Sequence, residues 1–75
     1  MRSKGKMSRN IPEFVFINLD SMKTIRRTLK ISRADVAKAT HISTAMLEKY
    51  ELRSQFPIKE RYNALANFFD WEIWE

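Results

Sequence analysis

The stretch Ile31-Ser-Arg-Ala-Asp-Val-Ala-Lys-Ala-Thr-His-Ile-Ser-Thr-Ala-Met-Leu-Glu-Lys-Tyr-Glu51 decides the fold. Ser32 followed three residues on by Asp35 is a helix-start signal, because hydroxyl and carboxylate each accept from an exposed backbone N–H. Val36, Ala37 and Ala39 give the helix that begins there an apolar side. It has to be short, since Thr40-His41-Ile42 interrupts it and Ser43 caps a second helix. That second helix, Thr44 to about Leu52, turns Leu47 and Tyr50 inward with Met46 beside them. Thr44, Ala45, Glu48 and Lys49 are left on the other side. Ala37 is small enough for the two helices to cross closely, and Ile42 is placed to be buried in the turn between them.

Before this unit, Asp20 or Ser21 can cap a helix whose Met22, Ile25 and Leu29 share one face, with Lys23, Arg27 and Lys30 opposite. Glu13-Phe-Val-Phe-Ile-Asn-Leu19 is a short β-prone run, either an extended strand or the lead-in to that helix. Residues 1 to 12 have no apolar periodicity and read as a flexible basic arm. After the unit, Pro57 marks a break. A fourth helix from about Ile58 to Phe69 then carries Tyr62, Leu65, Ala66 and Phe69 at helical spacing. Trp71, Ile73 and Trp74 follow, with room for one further turn. The expected fold is all-α, a compact bundle of four to five short helices over residues 13 to 75, with an N-terminal arm that can include a short extended segment.

Composition narrows the function. With 75 residues and no cysteine, the chain is one small domain without disulfide or zinc staples. No run approaches the roughly 20 apolar residues of a membrane span. The basic start is too short and polar for a signal sequence, so a cytoplasmic location is expected. The net charge is +5, and it is unevenly spread. Arg2, Lys4, Lys6 and Arg9 crowd the first ten residues without an anion, and Lys23, Arg26, Arg27, Lys30 and Arg33 crowd residues 21 to 33 likewise. Such asymmetry is the footprint of a polyanion ligand. A single His, the lack of a Gly-rich phosphate loop and the lack of an acid–base pair argue against an enzyme, a cofactor or a metal.

Two short capped helices around a tight turn make the packing recipe of a helix-turn-helix, whose second helix enters the DNA major groove. The stretch resembles the Cro/C1 (XRE) type of phage and bacterial repressors, with their lambda-repressor-like fold. The family's Leu-Ser-Gln-x-x-Leu-Ala has its counterpart in Ile31-Ser32-Arg33-Ala34-Asp35-Val36-Ala37. The Gly-Ile-Ser turn corresponds to His41-Ile42-Ser43, the Ile-x-x-Ile-Glu register to Leu47-Glu-Lys-Tyr50-Glu51, and the proline before the fourth helix to Pro57. The resemblance spans roughly residues 20 to 74 without a gap. It departs from the family at Arg33 (usually Gln), at His41 (usually Gly) and at Arg53, where a Gly commonly follows the recognition helix.

The resemblance implies double-stranded DNA as the partner and a homodimer on an operator-like site, with no small-molecule ligand or membrane. Base contacts fall on Thr44, Ala45, Glu48 and Lys49. Lys can donate to guanine, Glu can accept from cytosine, and Thr or Ala can touch a thymine methyl. Ser43 and Arg33 suit phosphate oxygens, with Lys23, Arg27 and Lys30 as weaker candidates. Arg26 and Glu51 are implied to form a partly buried ion pair tying the first helix to the third. His41 is read as a turn residue tolerating positive φ rather than as a catalyst or ligand. The competing expectation is a protein-interaction domain that keeps this fold, acting antitoxin-like or as an accessory factor through the aromatic tail. There Phe69 and Trp71 would close the core, and Phe68 and Trp74 would be the exposed surplus. Dimer contacts are expected from the C-terminal region or from the run Glu13 to Leu19.

Overall fold

The computed structural model describes residues 11–75, so the basic arm expected over the first ten residues lies outside the described chain. Four helices and no strand occur among the described residues: α1 Glu13–Thr28, α2 Arg33–Thr40, α3 Thr44–Glu51 and α4 Lys59–Phe69. None is long and apolar enough to cross a membrane. The extended alternative for residues 13 to 19 is therefore set aside.

The onset of α1 corrects the sequence expectation, because the helix begins at Glu13 and not behind Asp20 or Ser21. Pro12 stands at the N-cap, where its missing N–H costs nothing, and its carbonyl accepts from Val15 N at 3.0 Å. Glu13 in the first turn complements the helix dipole. Val15, Leu19 and Met22 then form one buried stripe at i, i+4, i+7, and burial overrides the β propensity of the Phe-Val-Phe-Ile run. Asp20 and Ser21 lie in mid-helix, where Ser21 Oγ donates back to the Ile17 carbonyl at 3.0 Å. Leu29, expected on the inward face, is the exposed C-cap.

The caps of α2 and α3 form locally. Ser32 Oγ accepts from Asp35 N and Asp35 Oδ2 accepts from Ser32 N, both at 3.1 Å. Ser43 Oγ accepts from Met46 N at 3.1 Å. His41 ends α2 in the left-handed region with φ 62°, and Asp70 ends α4 in the same way. Lys30 and Arg53 also have positive φ, so four left-handed positions are held by residues other than glycine.

The core is built from Val15, Leu19, Met22, Val36, Ile42, Leu47, Tyr50, Tyr62, Leu65 and Ala66, drawn from all four helices and the α2–α3 turn. α3 packs on both α1 and α2, and α2 also packs on α4. No fifth helix forms among the described residues, and α4 side chains capture backbone polar groups of residues 72 to 75 instead. Tyr62 Oη donates to the Glu72 carbonyl at 2.9 Å, and Asn63 exchanges two 2.8 Å bonds with the backbone of Trp74. Lys59 Nζ donates to the Glu75 carbonyl at 2.9 Å. The expected split of the aromatic tail is corrected as well. Phe68 and Trp74 are half-buried against the core, as are Phe69 and Trp71. Trp71 stacks on Tyr62 and on Phe69, and Trp74 meets Tyr62 edge-on.

Candidate nucleic-acid interface

α3 is two-faced. Leu47 and Tyr50 are buried, whereas Thr44, Ala45, Glu48 and Lys49 are all exposed. At 3.6 residues per turn these four side chains fan over an arc of roughly 140°. The face they make is short and mixed: a hydroxyl, a methyl, a carboxylate and an ammonium. At its N-terminal end Ser43 satisfies Met46 N, while the amides of Thr44 and Ala45 have no acceptor within the helix and sit at its positive pole.

The other end of α3 is anchored by charge. Arg26 of α1 donates to Glu51 from Nε to Oε2 at 3.0 Å and from Nη2 to Oε1 at 3.3 Å, a two-pronged contact that matches fork to carboxylate. Its Nη1 also donates to the Ile31 carbonyl at 3.1 Å, reaching the α1–α2 connection. Arg33 of α2 donates from Nε to Glu51 Oε1 at 3.1 Å. The Glu51 side chain is 1% exposed, against 12% for Arg26 and 34% for Arg33. One shielded carboxylate thus joins guanidinium groups from two other helices at the last residue of α3, and the trio carries a net positive charge.

The candidate phosphate contacts fare differently from one another. Ser43 is exposed and already engaged as a cap. Arg33, expected free for phosphate, has its Nε held by Glu51, so only the outer part of its guanidinium remains accessible. Sequence spacing carries no sign of this, because the two residues lie 18 apart and meet only when α2 and α3 pack. Lys23 and Arg27 are exposed one turn apart on α1, and neither makes an ion pair among the described residues. Lys30 is exposed just beyond α1.

A second surface joins part of the Glu13 to Leu19 run, expected above as a dimer contact, to the loop between α3 and α4, for which the sequence alone carries no expectation. Phe16, Leu19 and Asp20 of α1 face Tyr50, Arg53, Gln55, Phe56 and Pro57 across a groove of about 230 Å³. The Phe16 and Phe56 rings lie 5.2 Å apart, and Arg53 pairs with Asp20 at 2.6 Å on its rim. The signal that pointed there was the unbroken apolar run Phe14-Val15-Phe16-Ile17, which is longer than one buried helix face needs. Comparisons of the chain with protein families, with curated proteins and with solved structures return no match.

Proposed function

We propose that this chain is a sequence-specific double-stranded DNA-binding domain, a Cro/C1-like transcriptional regulator acting as a homodimer in the cytoplasm. It represses by occupying an operator-like site and performs no catalysis. In this reading α2 and α3 are the helix-turn-helix and α3 lies in the major groove, with Thr44, Ala45, Glu48 and Lys49 against base edges. Ser43, the free amides of Thr44 and Ala45 and the outer part of Arg33 meet the phosphates, and Lys23 and Arg27 raise the local field.

The observation that carries the reading is the two-faced α3. Its polar side is exposed along the whole helix, while its apolar side is buried and its end is locked by the Arg26–Glu51–Arg33 trio. A rigidly seated helix with a free polar face is what base readout requires, since misplacement by an ångström forfeits directional hydrogen bonds. The rival reading, protein interaction through the aromatic tail, is weakened by the capture of residues 72 to 75 on α4.

Selection of the purified chain against a randomised duplex pool at near-physiological salt tests the proposal. Enrichment of a palindrome with half-sites about 10 base pairs apart is expected. Weak, unselective binding that vanishes as salt rises would mean that charge alone acts, and would end the regulator reading.

A further inference from the structure

An open groove of about 360 Å³ runs between the start of α1 and the chain beyond α4, lined by Pro12, Phe14, Glu72, Ile73 and Glu75. Glu72, Ile73 and Glu75 are exposed, whereas Pro12 and Phe14 are half-buried. The groove is thus apolar with acidic edges, and no described cation lines it. Neither glutamate makes an ion pair among the described residues. Lys59 reaches this end of the chain, but it donates to the main-chain oxygen of Glu75 and lies over the Trp74 ring. No Lys or Arg follows Arg61 in the sequence, so this end of a basic chain is its acidic pole. The bonds from Tyr62, Asn63 and Lys59 hold the backbone of residues 72 to 75 in place, which presents both carboxylates from a fixed platform.

We infer that this groove receives the chain's own basic segment, residues 1–10, and that the contact competes with polyanions for that segment. The inference goes beyond the regulator reading, and only its consequence for DNA rests on that reading. Charge is the first argument. Arg2, Lys4, Lys6 and Arg9 face no anion within their own segment, while Lys23, Arg27 and Lys30 on α1 repel them. Apolar chemistry is the second, because Met7 stands among those cations and offers Pro12, Phe14 and Ile73 an adaptable side chain. The tether is the third. Ile11 packs against the core, so the segment joins the fold two residues from the groove wall at Pro12. Ten residues span at most about 35 Å, which keeps their local concentration near the millimolar range. Exposed ion pairs are individually weak and screened by salt, and only such a tether populates them. Phosphates that draw on the same cations must first release them from Glu72 and Glu75.

The chain has no cysteine, so a nitroxide on Ser3→Cys labels one site in the full-length protein. At low salt the amide signals of residues 72 to 75 are expected to broaden. They are expected to recover at about 0.5 M salt, and in the Glu72→Gln, Glu75→Gln double variant, with thermal stability unchanged. No broadening, or broadening that neither salt nor the double variant removes, would overturn the inference. Equal broadening between labelled and separately isotope-enriched copies would overturn it too, since the segment would then come from a second chain. The double variant is also expected to bind a random-sequence duplex at low salt about threefold more tightly than the wild type. That gain is expected to vanish when Arg2, Lys4, Lys6 and Arg9 are all replaced by Gln. A gain that persists there would mean general charge is acting, and would overturn the competition. Salt-sensitive broadening without sequence enrichment in the duplex selection would sink the DNA reading and leave the groove contact standing.

Discussion

Glu51 and Arg26, 25 residues apart in the chain, meet in a two-pronged contact whose carboxylate is almost fully shielded from solvent. Because Arg33 reaches the same carboxylate, the end of α3 is referenced to α1 and α2 together. Arg26→Ala leaves Glu51 with a single, partly exposed partner, and removing one member of a shielded pair costs about 3 kcal/mol. Urea unfolding checks this. Arg26→Lys is expected to recover only part of the loss, since an ammonium cannot make both prongs.

The four left-handed residues other than glycine make a separate prediction. Lys30 has φ 59°, where an L-residue with a Cβ is penalised by about 1 kcal/mol or more. Lys30→Gly is expected to raise stability by about 0.5–1 kcal/mol, after allowing for the greater freedom of glycine in the unfolded chain. Lys30→Ala is expected to bring no such gain. Thermal melts of the two variants separate relief of backbone strain from loss of a charge.

Tyr62 supplies the pH dependence. Burial, then the neighbouring Glu72 charge, push its phenol above the ordinary value of 10.0, against a lowering by the Asn18 side-chain hydrogen bond. The unfolded chain therefore loses this proton first as pH rises. The contribution is full below about pH 10 and declines as pH climbs through the raised folded value. Urea midpoints measured from pH 9 to 11 are expected to fall more steeply for the wild type than for Tyr62→Phe. The variant is itself expected to be less stable at neutral pH by about 1–2 kcal/mol, because Asn18 and the Glu72 carbonyl lose their shared partner.

Ser32→Ala is expected to cost about 1 kcal/mol, because it leaves the amide of Asp35 without its acceptor. Asp35→Ala removes the reciprocal half of the same box, and the double variant is expected to cost less than the sum of the singles. Denaturant titration of the three variants measures this.

What the sequence made legible was largely local. The Ser32–Asp35 box and the Ser43 cap are contacts between residues three apart, so spacing alone predicts them. The inward turn of Leu47 and Tyr50 and the burial of Ile42 follow from apolar period within a short window. The start of α1 was illegible because Phe14 to Ile17 are apolar without a break, and a run of that length fits a strand or a helix. Only packing of Val15 and Leu19 on the core selects the helix. Arg33 on Glu51 and the capture of Trp74 by Asn63 are long-range encounters with no periodic signature.

The claim that α3 reads DNA through its exposed face is tested most directly by repeating the duplex selection with Lys49→Ala. Lys49 is exposed and outside the core and the ion trio, so the fold is expected to persist. The account predicts the wild-type motif with preference relaxed at one position in each half-site, a loss of about 1–3 kcal/mol there. An unchanged motif, or uniform weakening across all sequences, would contradict readout by this face of α3.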